Sequence, residues 1–449
     1  MPRITVIGAG STVFMRNIVG DILQYPALAN SHFALYDIDQ KRLNEAMQVA
    51  QALGKSAKSP ARFSAHSQLE TALDKADFVI TMFQAGGYEP ATVIDFEVSR
   101  KFGIRHTIGD TLGVAGIMRG LRSVPVFLEI AAKMKELCPG AWLLNYVNPM
   151  AMITGTLQTL CPDIKMIGLC HSVQGTAHEL AHDLDLPDTS LRYFAAGINH
   201  MAFYLTLEEK TADGTWKNVY PRLLQGYKEG YIPKESEQNP RCPNLVRYEM
   251  LKYLGYFVTE SSEHFAEYTP YFIKNAFPGL IEQFRIPLDE YPKRCIEQKQ
   301  NWEEHMKELM NGAVQEHSES REYASRIIHS LWTGEPDTIN ANLLNNGLID
   351  NLPADSCVEV PCLLSNTGIH PVKAGRMPAH LAALIRTNTN VQTLFMEAFI
   401  HEDPQYIYHA AMMDPHTSSE IPLEQIYKLT SALLRAHREQ KGYELPPWI

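Results

Sequence analysis

An apolar run, Ile4-Thr5-Val6-Ile7, ends in Gly8-Ala9-Gly10-Ser11-Thr12, and an apolar helical face at Phe14, Ile18, Val19, Ile22 and Leu23 follows at once. A buried strand feeding a glycine turn and an amphipathic helix is how a mononucleotide-binding α/β unit begins. Without side chains the backbone at Gly8 and Gly10 can approach a pyrophosphate, and the helix start beside Ser11 and Thr12 offers N–H groups and the positive end of a dipole. Phe33-Ala34-Leu35-Tyr36-Asp37 forms a second strand that closes on an acid. A carboxylate there accepts hydrogen bonds from an adenosine ribose and repels a 2′-phosphate, so NAD is favoured over NADP. Val13 stands where the full fingerprint has its third glycine. Gly-x-Gly alone is therefore weak, and it is the strand, helix and acid around it that weigh against a merely structural turn.

The same alternation continues. A second helix face runs through Leu43, Met47, Ala50 and Leu53, and a longer one through Met118, Leu121, Val124, Leu128 and Ala131. Alternating with helical stretches are the strand-like runs Phe78–Phe83, Trp142–Val147 and Met166–Cys170. Near-continuous apolar strands separated by helices predict a parallel sheet covered on both faces. Further on the texture changes: Phe203–Leu207 and Thr215–Tyr220 flank an Asp213-Gly214 turn signal, which predicts an antiparallel hairpin. At 449 residues the chain is too long for one domain of roughly 100–200 residues. We expect a Rossmann-type doubly wound domain over 1–195 and an α+β domain over 196–449.

Composition narrows the ligand. Forty basic against 51 acidic side chains give a net charge of −11, which argues against nucleic acid or an anionic membrane as the partner and for a small molecule. Seven cysteines, an odd and scattered set, cannot form a complete disulfide framework, so a reducing compartment is expected. The apolar start is too short for a signal-peptide core, and no apolar stretch approaches the roughly 20 residues of a membrane helix. The expectation is a cytoplasmic protein.

Ligands of open α/β sheets sit beyond the carboxyl ends of the strands, and these loops are loaded with polar groups. Gln84-Ala85-Gly86-Gly87-Tyr88-Glu89-Pro90, Asn145-Tyr146-Val147-Asn148-Pro149, Cys170-His171-Ser172 and Asn199-His200 all fall at or near such ends. Each has a plain reading as a turn, a strand stop or a core residue; together they converge on one crevice. Cys170 and His200 show no local zinc spacing. If both reach the crevice, a thiolate and an imidazole leave an open coordination sphere for substrate oxygens. Spacing does not choose between that and a buried thiol with a satisfied histidine.

Five motifs taken in order resemble glycoside hydrolase family 4: Gly8–Thr12, Gly109-Asp110-Thr111-Leu112-Gly113 with Gly116 and Arg119, Asn145–Pro149, Cys170-His171-Ser172-Val173, and Gly197-Ile198-Asn199-His200. The likeness extends to at least Asn390–Thr393 and, through Cys170-His171-Ser172, is nearest the family's α-galactosidases. It implies a fold akin to lactate and malate dehydrogenases and a glycosidase that needs NAD and a divalent metal, commonly Mn²⁺. This family departs from two-carboxylate hydrolysis. The sugar is oxidised at C3, loses its C2 proton, eliminates the C1 substituent, takes up water and is reduced again. By resemblance, Cys170 and His200 hold the metal and Asn148 binds substrate. His171 occupies the position of the leaving-group acid. Tyr268, in His264-Phe265-Ala266-Glu267-Tyr268, matches the C2 base, with a packing tyrosine as the alternative. Arg294 is a candidate substrate contact, with a surface ion pair as its alternative. The resemblance also implies a homodimer or homotetramer acting on α-galactosides such as melibiose.

Rival readings are an α-glucosidase or α-galacturonidase of the same family, or a NAD-dependent hydroxy-acid or sugar dehydrogenase. The dehydrogenase would release NADH stoichiometrically, and a Cys–His metal pair has no use in simple 2-hydroxy-acid oxidation.

Overall fold

The computed structural model describes residues 1–234, 243–310, 317–320 and 322–449. Twelve described strands form one sheet. They are β1 (Arg3–Ile7), β2 (His32–Tyr36), β3 (Arg62–His66), β4 (Phe78–Thr81), β5 (Trp142–Asn145), β6 (Lys165–Gly168), β7 (Leu191–Ile198), β8 (Met201–Lys210), β9 (Trp216–Asn218), β10 (Asp337–Leu344), β11 (Cys357–Ser365) and β12 (Gly368–Pro371).

The first six pair in parallel in the order β3-β2-β1-β4-β5-β6. This is the doubly wound order, and its direction reverses between β1 and β4, which opens a crevice above the carboxyl ends. Ile4, Val6, Phe33, Leu35, Val79, Ile80, Leu143 and Leu144 are all fully buried, as strands covered on both faces require. Asp39 starts the helix Gln40–Ser56 by accepting from the N–H groups of Lys41 and Arg42, at 2.9 and 3.1 Å. The one parallel strand absent from the apolar pattern is β3, none of whose residues is fully buried. As the edge of the sheet it packs little apolar surface and leaves only a faint signal.

The sheet then continues in antiparallel fashion through β10, β11, β7, β8 and β9, with β12 on β11. The hairpin expected around Asp213-Gly214 is present as β8 and β9, with Lys210 opposite Trp216. Two of the joins in this half are single residue pairs: Asn342 opposite Gly168, and Glu359 opposite Gly197. Gly168 is packed so closely that a Cβ there would lie 2.5 Å from Met150 Sδ and 3.1 Å from Asn342 Cβ. One large core runs from β1 to the carboxyl-terminal helices. A smaller one, around Val173, Leu180, Tyr204, Leu223, Tyr248 and Phe257, supports β7 and β8 from the other side.

Candidate active site

The nucleotide end is built almost wholly from backbone. Gly8 and Ala9 donate their N–H groups to Tyr36 O at 2.9 and 3.0 Å, which draws the turn against β2. Asp37 Oδ2 accepts from Gly10 N at 2.8 Å and Oδ1 from Asp39 N at 2.9 Å. Each carboxylate oxygen keeps a further lone pair for a ribose hydroxyl. Both glycines are required: Gly8 has φ +81° and lies against the Phe83 backbone, and a Cβ on Gly10 would fall 2.8 Å from Asp37 Oδ2. Ser11 precedes the helix Thr12–Gln24 and makes no side-chain cap, so the first turn presents its N–H groups beyond the loop. Thr12 opens that helix, and its side chain lies outside the described residues.

The opposite end is built from side chains. Cys170 follows β6, and His200 lies in the tight turn between β7 and β8. Cys170 Sγ is 3.3 Å from His200 Nε2. A third donor joins them: Glu260 Oε2 lies 3.5 Å from His200 Nε2 and 3.9 Å from Cys170 Sγ. The three donor atoms lie within 4.8 Å of one another. His200 and Glu260 adopt φ +62° and +68°, left-handed conformations that side-chain-bearing residues hold only where the surroundings enforce them. Thiol, imidazole and carboxylate on one point suit a divalent cation, and three protein donors leave room for substrate oxygens. The protonation states agree with that use. Burial lowers His200 to about 4, leaving the neutral imidazole that metals need. Burial, with Glu260 and Glu359 adding to it, pushes the Cys170 thiol well above its ordinary value, so a cation must displace its proton.

A second layer surrounds these donors. The His264 ring packs edge to face on His200 at 4.5 Å. It stands between Asp110 Oδ1 and Glu260 Oε1, each 3.6 Å away. Burial alone would lower His264, but the facing carboxylates of Asp110 and Glu260 outweigh it and raise it to about 9. Asp110, held well below the usual carboxylate range by His264 and Arg119 despite its burial, accepts from Asn148 Nδ2 at 3.1 Å. Arg119 Nε donates to Asn148 O at 3.1 Å. Glu267 fixes the Asp110 loop by accepting from the N–H groups of Thr107 and Gly109, at 2.7 and 3.1 Å.

The remaining candidates divide. The Tyr268 hydroxyl lies 3.3 Å from His200 Nδ1, and burial holds it well above the ordinary phenol value. His171 begins the helix Ser172–Asp183, half-exposed, with Nδ1 3.5 Å from Glu322 Oε1. Burial works to lower His171, but the bond to Glu322 and its charge raise it to about 9. Arg294 points elsewhere: its guanidinium donates to Glu263 at 2.6 Å and to Glu290 at 3.0 Å. Glu260, Asp110, His264 and Glu322 are absent from the residues singled out by sequence reasoning. Asp110 and His264 fall inside motifs quoted above without a role. Glu260 and Glu322 carry no spacing signal, because the fold alone brings them to Cys170 and His171.

Comparison with known proteins places the chain among characterised folds and sequences. The family model described as Family 4 glycosyl hydrolase matches residues 3–186, and that of the Family 4 glycosyl hydrolase C-terminal domain matches residues 195–417. An alpha-galactosidase of Bacillus subtilis (strain 168) is 45% identical over 437 residues, covering 97% of this chain and 98% of the relative. Among solved structures, a 6-phospho-alpha-glucosidase from gut microorganisms, in complex with NAD and Mn²⁺, superposes with a TM-score of 0.80 at 18% identity, covering 99% of this chain and all of the other. Malate dehydrogenase of Cryptosporidium parvum shares the fold more distantly, with a TM-score of 0.53 at 12% identity over 89% of this chain and 99% of the other.

Proposed function

The chain belongs to family 4 of the glycosyl hydrolases, and on that premise we propose that it hydrolyses α-galactosides such as melibiose with NAD and a divalent metal, Mn²⁺ or a similar ion. The observation that carries the metal requirement is the convergence of Cys170, His200 and Glu260. Cys170, His200 and Glu260 would hold a divalent cation, which would supply Lewis-acid polarisation of sugar oxygens, and the Gly8–Asp37 unit would hold NAD, which would supply reversible hydride transfer; together these would make the proton next to the oxidised carbon acidic.

The protein's own groups have separate tasks. Gly8, Gly10, Ser11, Thr12 and Asp37 bind the dinucleotide. Asn148 orients the sugar: Asp110 can only accept, so it turns the Asn148 amide with Nδ2 toward itself and Oδ1 away. Tyr268 takes the C2 proton on its phenolate oxygen. A buried phenol reaches that state only beside positive charge; His200, 3.3 Å away, is neutral, so the charge would have to come from a cation held on its other nitrogen. His171, protonated against Glu322, gives a proton to the departing oxygen. Arg294 is assigned to the rim, where Glu263 and Glu290 already neutralise it. That pairing suits a neutral sugar better than a uronate, which would need a cation with spare donors.

We assign the nucleotide to residues 1–195 and the closing, metal-completing part to 196–449. A homodimer or homotetramer in the cytoplasm fits the family resemblance and the demand of Cys170 for a reducing medium. No helix among the described residues is long and apolar enough to cross a membrane.

The test is release of p-nitrophenol from p-nitrophenyl α-galactoside with catalytic NAD and Mn²⁺, repeated without NAD and with chelator, beside the matching glucoside and galacturonide. We expect turnover on the galactoside that stops when either cofactor is withheld and no net NADH. Undiminished release without cofactors would overturn the mechanism, and preference for another sugar would overturn the substrate.

A further inference from the structure

The strand-end loop Gln84–Pro90 is used by none of the roles above, yet it is wired at both ends. At one end, Gln84 Oε1 accepts from the Tyr291 hydroxyl at 3.1 Å, that hydroxyl accepts from Arg119 Nη1 at 3.1 Å, and Arg119 Nε holds Asn148 O. Gln84 Nε2 also closes the loop on itself, donating to Gly87 O at 3.1 Å and to Thr92 Oγ1 at 2.8 Å. At the other end the loop meets the carboxyl-terminal segment. Gly86, at φ +80°, is packed so tightly that a Cβ would fall 2.8 Å from Tyr443 Cδ1.

Tyr443 is itself anchored. Its hydroxyl bonds His437 Nδ1 at 2.5 Å, and His437 Nε2 bonds Asp95 Oδ1 at 2.8 Å. Asp95 receives Arg122 through two bonds of 3.0 and 2.7 Å. The Arg122 guanidinium sits 5.7 Å from the Tyr443 ring centroid and reaches Ala85 O, 3.4 Å away. Asp95, Arg122 and His437 are all buried. A buried charge network of this kind is costly unless every member is satisfied, so it persists where it defines a geometry.

We propose that Tyr443 is a positioning residue for the glycosidase reaction: its ring, clamped by His437 and Arg122, sets the Ala85-Gly86 backbone and, through Gln84, Tyr291 and Arg119, the place of Asn148. The inference rests on the assignment of Asn148 to the sugar. Tyr443 belongs to no helix or strand, and its contacts run to Gly86, Arg122 and His437. Its effect should therefore fall mainly on sugar binding and orientation through Asn148, because small misplacements of a positioning group lower productive binding steeply.

The experiment compares Tyr443→Ala, Tyr443→Phe and Asn148→Ala in the full chain with NAD and Mn²⁺. For Tyr443→Ala we expect KM for p-nitrophenyl α-galactoside to rise about tenfold, with kcat and the Kd for NAD within about twofold. Tyr443→Phe keeps the ring on Gly86 and beneath Arg122 but loses the bond to His437, so its KM should fall clearly between those of the parent and Tyr443→Ala. An unchanged KM in folded Tyr443→Ala, a Tyr443→Phe as impaired as Tyr443→Ala, or equal losses in sugar and NAD binding overturn the proposal. Should Tyr443→Ala not fold, Tyr443→Leu carries the same test. Asn148→Ala separates the two layers. If it leaves KM unchanged, the substrate assignment itself fails; if it raises KM while Tyr443→Ala does not, only the positioning role fails.

Discussion

The two ends of the crevice are made by different means. At the nucleotide end, Gly8, Gly10 and Asp37 lie on one strand-turn-helix-strand unit, and backbone N–H groups make most of the contacts. At the metal end, Cys170, His200 and Glu260 come from three separate segments, two of them in left-handed backbone, and every contact is a side-chain atom. A backbone site depends on local geometry and tolerates change outside its glycines. A side-chain site depends on the packing of distant elements and on the charge of what it binds.

The sharpest break of this contrast is Cys170→Ala. Removing one of three donors should lower metal-dependent kcat/KM by about 10³-fold while leaving the Kd for NAD unchanged, by calorimetry on the same sample. Loss of NAD binding in parallel would show that the two ends are not separable. Glu260→Gln keeps the shape and removes the charge; Mn²⁺ affinity, followed by electron paramagnetic resonance, should weaken roughly 10- to 100-fold. Unaltered affinity would remove Glu260 from the donor set. The mirror experiment is Gly10→Ala. Its Cβ meets Asp37 Oδ2 and Arg42 Cβ, at 2.8 and 2.6 Å, so the loop must shift. NAD affinity should fall roughly tenfold with Mn²⁺ binding intact.

The smallest effect concerns Glu359, fully buried beneath the metal end, with neither carboxylate oxygen hydrogen-bonded among the described residues. Burial, reinforced by Glu260, raises it to about 8. An unfolded glutamate ionises near 4.3, so between roughly pH 4.3 and 8 the unfolded chain releases this proton first and stability falls as pH rises. Glu359→Gln cannot ionise. Its Tm relative to the parent should therefore climb by a few degrees between pH 5.5 and 8.5 in chelator-treated protein, and a constant difference would place the charge elsewhere.

The contrast also explains what could be read without coordinates. Ile4–Ile7, Gly8, Gly10, the helix after Ser11 and Asp37 are contiguous, and their chemistry follows from period and residue type; so does the Asp213-Gly214 hairpin. β3 escaped because an edge strand with no fully buried residue has no apolar run. Glu260 and His264 escaped for another reason. They stand 60 and 64 residues beyond His200, and long-range pairing, including Phe203 with Val258 and the bonds of Thr259 N to Ala202 O and Tyr204 N to Phe257 O, carries that segment back to the β7–β8 turn. Nothing in the residue types marks Glu260 as the position that turns left-handed, since such backbone is commonest at glycine.

The distribution of the donors along the chain has one more consequence. Cys170 lies in the span of the first family model, and His200 and Glu260 in that of the second. A cation held by all three would close loops through the chain, as a covalent bridge does, and would favour the folded chain. Such an ion would be a fastener as well as a reagent: stripping it should loosen the packing of the segments that carry Cys170, His200 and Glu260, and protease sensitivity near them would become a gauge of metal occupancy that requires no substrate.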